Sequence, residues 1–306
     1  MRYHSFDRAM RGRFGCKVYK LSLDGGFGCP NRDGTVGARG CSFCSARGSG
    51  EFAASAWLPI EEQLACARAR VAHKNPGGKY IAYFQSYTNT YAPPERLRSL
   101  FSAAAAPEDI VALDVATRPD CLGPEVLEVL AELAQRKPLW VELGLQTIHP
   151  ETARAIRRGY SLPVFDEAVR NLHAAGAEVI VHQILGLPGE TPAQMVETAR
   201  YIADSGAEGI KLHLLHILDD ADMYEDYLAG RVPVMEKQDY FSVLGACLRV
   251  LPPDMVIHRL TGDGDKRHLI APLWSADKKR VLNDMNRYFE QHDVIQGSDW
   301  VSNKNT

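Results

Sequence analysis

From Lys17 onward the chain alternates short runs of β-branched and aromatic residues with longer segments of helical period. That alternation constrains the fold more than any other feature, because strands separated by helices stack into a parallel sheet. The expected strands are Lys17–Leu23, Tyr80–Phe84, Ile110–Val115, Leu139–Gly144, Val179–Leu185 and Ile210–Leu215. Between them helices are expected at Ile60–Ala72, Pro94–Ala103, Pro124–Gln135, Leu162–Ala174 and Thr191–Ala203. Ala175-Gly176 and Ser205-Gly206 stop the last two, and Thr191-Pro192 supplies a cap and a first turn. Six βα repeats are too few to close an eight-stranded barrel. The expected fold is therefore α/β, a partial (β/α)6 TIM-like barrel whose open side admits a large substrate. After residue 217 the alternation weakens: Tyr240–Val250 and Ala276–Glu290 read as helices, Met255–Arg259 as a strand, and the polar end Gln296–Thr306 as a frayed tail. Residues 1–217 thus read as the partial barrel with its N-terminal segment, and 218–306 as a C-terminal extension that packs on it and can cover its open side.

With 306 residues, 45% of them hydrophobic, the chain can bury a large core. No apolar run approaches the roughly 18 residues needed to cross a membrane, and the start, Met1 to Asp7, lacks the apolar centre of a signal peptide. A cytoplasmic protein is expected. Seven cysteines without regular pairing suit a reducing compartment, where thiols serve metals. Net charge is −3, so the surface as a whole does not advertise nucleic-acid binding. Local charge says more. Arg2, Arg8, Arg11, Arg13, Lys17 and Lys20 crowd the N-terminus, and Lys266, Arg267, Lys278, Lys279 and Arg280 crowd the last fifth. Each set reads either as a solvated basic face or as a phosphate-binding groove.

Chemistry is carried by Cys29, Cys41 and Cys44, which follow the first expected strand and so fall at the C-terminal face of the sheet, where ligands bind. A structural zinc site wants four protein ligands, usually as two spaced pairs, and no second pair lies nearby. Three soft thiolates leave one metal position open, as in a four-iron cluster with one iron free to bind a reactant. Gly25, Gly26, Gly28, Gly34, Gly37 and Gly40 let the loop wrap a bulky centre closely. Cys16, Cys66, Cys121 and Cys247 have no ligand spacing and read as small buried hydrophobes. His182, Gln183, Lys211, His213 and His216 sit on or beside the last two strands, where alternation aims about half of them into the barrel and suggests a polar cavity.

The segment Cys29 … Cys41-Ser42-Phe43-Cys44, with an aromatic before the last cysteine, resembles the radical S-adenosylmethionine (SAM) enzymes. Its first interval of eleven residues is longer than the usual three and is similar to the branch containing the Elongator catalytic subunit. The text from Gly26 to Cys44, "GFGCPNRDGTVGARGCSFC", resembles the YhcC/YtqA group of bacterial proteins. So do "YFQSYTNTY", "ATRPDCL", "ELGLQT", "IRRGYS", "LGLPGET" and "HRLTGDGDKRHLIAPLW". The resemblance implies one 4Fe-4S cluster on Cys29, Cys41 and Cys44, SAM on its fourth iron, and release of a 5′-deoxyadenosyl radical after one electron arrives from a donor such as flavodoxin or ferredoxin. It further implies that Phe43 lies beside the adenine and that Gln85, Ser86 and Thr88 meet the methionine amino group. Gln146 and Arg158 would contact ribose and carboxylate, Gly186 and Leu187 would lend backbone to the adenine, and His182 would face the nucleoside. Relatives often carry a ribose-binding carboxylate where this chain has Ala116; Thr117, Asp114 or Glu142 could take over that contact.

The function implied is a radical SAM modification of a tRNA base, the C5 side chain of a wobble uridine. The acetyltransferase domain of the Elongator subunit has no counterpart here, so acyl transfer is not expected. Two alternatives stand beside this reading. One is an anaerobic oxidoreductase on a small molecule, in the manner of coproporphyrinogen-oxidising relatives, which a deep uncharged cavity would favour. The other is a non-catalytic zinc-dependent nucleic-acid-binding module. Glu142 with Gln146 could also be a satisfied buried polar pair, and Arg157 and Arg158 could serve a helix end.

Overall fold

The computed structural model describes residues 2–48, 50, 52–75, 77–262, 264 and 266–301. Seven strands form one parallel sheet in the order β1-β2-β3-β4-β5-β6-β8: β1 Tyr19–Leu23, β2 Tyr80–Phe84, β3 Ile110–Thr117, β4 Leu139–Gln146, β5 Glu178–Leu185, β6 Gly209–Leu214 and β8 Val256–Arg259. A short antiparallel pair, β7 Ile217–Leu218 and β9 Leu269–Ala271, stands apart. Helices α1 to α10 are Phe6–Phe14, Ile60–Val71, Pro94–Ala105, Pro124–Ala134, Pro150–Ala155, Leu162–Ala174, Pro192–Asp204, Met223–Leu228, Lys237–Val250 and Lys278–Gln291. The partial barrel expected from the βα rhythm is present, and the expected strand at 255–259 extends its sheet as a seventh member beside β6.

The pleat explains how one strand serves both core and site, because alternate side chains leave opposite faces. On β4, Leu139, Val141, Leu143 and Leu145 pack into the main apolar core under the helices. Between them Trp140, Glu142, Gly144 and Gln146 turn to the hollow. β5 and β6 repeat the pattern, with Val179, Val181 and Leu185 outward and His182 and Ile184 inward, then Ile210, Leu212 and Leu214 in the core and Lys211 and His213 inward. Helix α7 opens on the expected cap: Thr191 Oγ1 accepts from the Gln194 backbone N–H and Gln194 Oε1 from that of Thr191, a capping box that satisfies two end donors.

Helix α1, not expected from the sequence, closes the N-terminal end of the hollow. Met10 packs there with Val18, Ile81, Ala112, Trp140 and Ile180 from the strand starts. The N-terminal basic residues therefore form no single groove. Arg2 pairs with Asp293, Arg11 with Asp7 and Arg13 with Glu178, while Lys20 enters the barrel interior. Helix α9 packs on α7 and brings Tyr240, Phe241, Leu244 and Leu248 into the main core.

Two other expectations fail. Gln296 is not frayed: its amide donates to the carbonyls of Pro252 and Met255 and accepts from the His4 N–H, so this residue is tied to the N-terminal segment. Residues 302–306 of that expected tail lie outside the described residues, as do Asp263 and Asp265 of the last motif. Of the cysteines without ligand spacing only Cys247 is buried; Cys66 is exposed and Cys16 and Cys121 are half-buried, because their positions on loops and helix faces turn them outward. Among the described residues no helix is long and apolar enough to cross a membrane.

Candidate active site

A cavity of about 270 Å³ opens at the C-terminal face of the sheet, and the loop after β1 forms one wall of it. Cys29, Cys41 and Cys44 all line it. The loop is held by its own backbone: Arg32 N–H donates to the Cys29 carbonyl, Gly40 N–H to that of Asn31 and Cys44 N–H to that of Cys41. Gly40 adopts φ +74°, and a Cβ there would lie 2.9 Å from Arg32 Nε, so this position requires glycine on two counts. Outside the loop, Arg157 Nε donates to the Gly40 carbonyl while its other nitrogen pairs with Asp222 at 2.6 Å, and Ser42 N–H reaches the Ile156 carbonyl. The thiol loop is thereby clamped between the segment after β4 and the C-terminal extension.

Asn31 Nδ2 lies 3.5 Å from Cys41 Sγ and 2.6 Å from the Arg157 carbonyl. Burial pushes the Cys44 thiol up to about 12, with Cys41 adding to the effect against the pull of Arg32, and burial raises Cys41 as well. Crowded thiols of this kind give up their protons when a metal takes the proton's place. Thiolates around a single zinc at about 2.3 Å would stand about 3.8 Å apart. Among the described residues the three Sγ atoms do not all lie within 4.8 Å of one another.

Of the other residues singled out from the sequence, Phe43, Gln85, Thr88, Thr117, Glu142, Gln146, Arg158 and His182 line the same cavity. Ser86, Gly186 and Leu187 do not. Ser86 is fully buried behind the loop with its Oγ unpartnered among the described residues, and Gly50 packs directly over it. Gly186 has φ +89° with Met235 packed on it and its N–H directed to Met195 Sδ at 3.4 Å. Leu187 joins a small apolar cluster with Ile156, Ile184, Leu215 and Met223, against which Phe43 also packs.

Arg158 departs most from expectation. Its guanidinium donates to the carbonyls of Leu145 at 2.9 Å, Thr147 at 2.5 Å and Tyr160 at 3.1 Å, and lies 4.4 Å from the Tyr160 ring centre. The fork is spent on backbone left off the ladder where β4 ends: Gln146 sits at φ +63° and the register with β5 slips between Gly144 and Gln146. Thr117 Oγ1 shares a 2.6 Å hydrogen bond with Thr90. Asp114, one candidate for the ribose contact, lies below the cavity and pairs with Lys20.

Glu142, another such candidate, is the centre of a buried network. Its Oε1 accepts from Lys20 at 2.9 Å; its Oε2 accepts from Lys211 at 2.5 Å and Tyr83 at 2.7 Å and lies 2.8 Å from His182 Nε2. Burial opposes its charge, but Lys20 and Lys211 outweigh burial and hold the carboxyl well below its ordinary range. Burial lowers Lys211 to about 7 and, with the Glu142 charge, raises Asp114 to about 7. Burial likewise keeps His182 and His213 below the usual imidazole value. Gln183 instead points outward and donates to the Met195 carbonyl. Sequence reasoning missed Tyr83, Arg118, Tyr160 and Arg259 as wall residues. For Tyr83 the signal was available, since it occupies the inward phase of β2.

Comparison with known proteins agrees with this geometry. The family model for the radical SAM superfamily matches residues 26–202, and that for the radical SAM C-terminal domain matches residues 207–291. YtqA of Bacillus subtilis is 45% identical over 296 residues, 97% of this chain and 92% of its own length. YhcC of Escherichia coli K12 is 40% identical over 287 residues, 94% of this chain and 91% of its own. The tRNA uridine(34) acetyltransferase of Methanocaldococcus jannaschii is 23% identical over 188 residues, 60% of this chain and 34% of its own. In fold, the chain is similar to Methanocaldococcus infernus Elp3, with a TM-score of 0.70 at 16% identity over 91% of this chain and 64% of that one. Enzymes of the superfamily use a 4Fe-4S cluster and SAM, and a donor set of three thiols in one cavity wall fits that cluster with one iron left for SAM. The chain belongs to the radical SAM superfamily of enzymes.

Proposed function

We propose that this radical SAM enzyme modifies a tRNA base, at the C5 side chain of the wobble uridine. The observation that carries the reading is the charge of the cavity and its mouth. Arg32, Arg118, Lys211 and Arg259 line the cavity, and exposed Arg39 and Arg47 adjoin the lining residues Gly40 and Gly48 at its rim. An uncharged cavity would have favoured the small-molecule oxidoreductase. Similarity to the tRNA uridine(34) acetyltransferase adds support, although the chain spans only 34% of that protein.

In this reading Cys29, Cys41 and Cys44 hold the cluster, which with bound SAM supplies a 5′-deoxyadenosyl radical once an electron carrier such as flavodoxin or ferredoxin has delivered its electron. Phe43 flanks the adenine, Gln85 and Thr88 receive the methionine amino group, and Gln146, Thr117 and His182 contact the nucleoside. Gly186 and Leu187 support that wall from behind, Ser86 supports the loop, and Glu142 with its two lysines fixes the polar floor. Arg158 holds the end of β4 open, and the cavity walls exclude water from the reacting atoms. Residues 218–306 act as the extension that completes the open side of the 1–217 barrel. The test compares nucleosides of total tRNA from cells with and without the gene: a changed wobble-uridine species is expected, and an unchanged profile refutes the substrate. Binding of tRNA should also weaken steeply as salt rises from about 50 to about 200 mM, since phosphate contacts release counterions.

A further inference from the structure

Arg259 ends β8 beside Lys211 of β6 and lines the cavity. Among the described residues its guanidinium makes no hydrogen bond and no ion pair. Every other charged group on the floor is matched. Lys20 bridges Asp114 and Glu142, and Lys211 takes the remaining oxygen of Glu142. Among the described residues three cations thus face two carboxylates, and the surplus charge rests on Arg259. His213 lines the same wall, its ring 5.0 Å from that of His182, and its buried Nε2 has no partner among the described residues. A half-buried guanidinium without a counter-ion is costly, and so is a buried ring nitrogen without a hydrogen bond. Both costs vanish if one ligand group meets both, and a planar fork is matched best by a carboxylate.

We propose that the cavity floor is a carboxylate subsite, anchored by Arg259 with His213 as the second polar contact, and that the substrate of this enzyme carries a carboxylate. The inference rests on the cavity being the substrate site of a radical SAM enzyme and deepens the tRNA reading without depending on it. The nucleoside comparison and the ligand titration below fail independently.

The experiment titrates cluster-loaded protein with sodium acetate under anaerobic conditions, with sodium chloride at equal ionic strength as blank, and follows the unfolding temperature. A saturable rise above chloride is expected, with binding weakened by about tenfold to a hundredfold in Arg259→Gln, the scale of a lost charged hydrogen bond. Two comparisons fix the source of the anion. Inorganic phosphate should bind more weakly than acetate, and saturating SAM should leave the acetate response in place. The inference is overturned by no rise beyond chloride, by a rise retained in Arg259→Gln, by tighter phosphate binding, or by displacement with SAM, which would give the pair to the cofactor's own carboxylate. Iron content and circular dichroism establish that the variant folds. Should it not, Arg259→Lys decides: weaker acetate binding supports the fork, and unchanged binding refutes it.

Discussion

Replacing Glu142 by Ala would leave Lys20 and Lys211 in the barrel without the carboxylate they share. The Glu142 side chain has 0% exposure and that of Lys211 4%, so water cannot simply take its place. Removing one partner of a buried ion pair costs about 3–5 kcal/mol, chiefly because the surviving charge stays buried. With an unfolding entropy of about 2.1 cal/mol/K per residue, a loss of that size lowers the melting temperature of a 306-residue chain by about 5–8 °C. Glu142→Gln keeps the shape and should cost nearly as much, which separates charge from cavity formation. The decisive variant is the double one, Glu142→Gln with Lys211→Met. It removes a cation together with the anion, and should recover at least about 2 kcal/mol relative to the sum of the single changes. The assay is anaerobic calorimetry at one fixed scan rate, because iron–sulfur proteins unfold irreversibly and rates enter the apparent midpoint. Additive single effects, or a shift below about 2 °C for Glu142→Ala, would mean that the floor is hydrated and that the network contributes little.

Three further outcomes follow from the same geometry. Cys41→Ala should abolish the brown colour, the bound iron and SAM cleavage together while leaving the circular dichroism intact; retained cleavage would refute the ligand assignment. Arg158→Met should destabilise the fold more than it weakens SAM binding, since it strips donors from two buried carbonyls, at about 1–3 kcal/mol each, and from the half-buried one of Tyr160; the reverse order would restore a carboxylate-clamping role. Acid should destabilise the protein through His213 and His258, which burial holds well below the ordinary imidazole value. Their folded values lie below their unfolded one, so the contribution is complete above pH 6.5. It declines as pH falls beneath that, by up to about 1.4 kcal/mol per pH unit for each ring. Melts between pH 7.5 and pH 5.5 check this, and His213→Asn should flatten the slope.

What the sequence reveals and what it hides divide along one physical line. The pleat has a period of two and is local, so a glutamate at 142 within Leu139–Gln146 must enter the hollow if its neighbours enter the core. The same reasoning recovers His182, Lys211 and His213, and the thiol loop is legible because its ligands lie within sixteen residues of one another. Arg158 defeats such reading. Its spacing from Gln146 fits a ligand pair, but its partners are set by a positive φ and a slipped register, neither of which leaves a mark in residue type. Six basic residues near the N-terminus look alike in composition. Only folding separates Lys20, drawn into the barrel by two carboxylates from β3 and β4, from Arg11 and Arg13 on α1, which pair with the more exposed Asp7 and Glu178. Arg259 lies on a strand that the sequence does predict, yet its role depends on which strand β8 pairs with, and that choice is made by a contact 48 residues away along the chain, at Lys211. Chemistry carried by one strand's alternation is therefore readable from sequence. Chemistry that depends on which groups are left unmatched becomes visible only after every neighbour has been given its partner, and it is by that route that the surplus charge on Arg259 emerges.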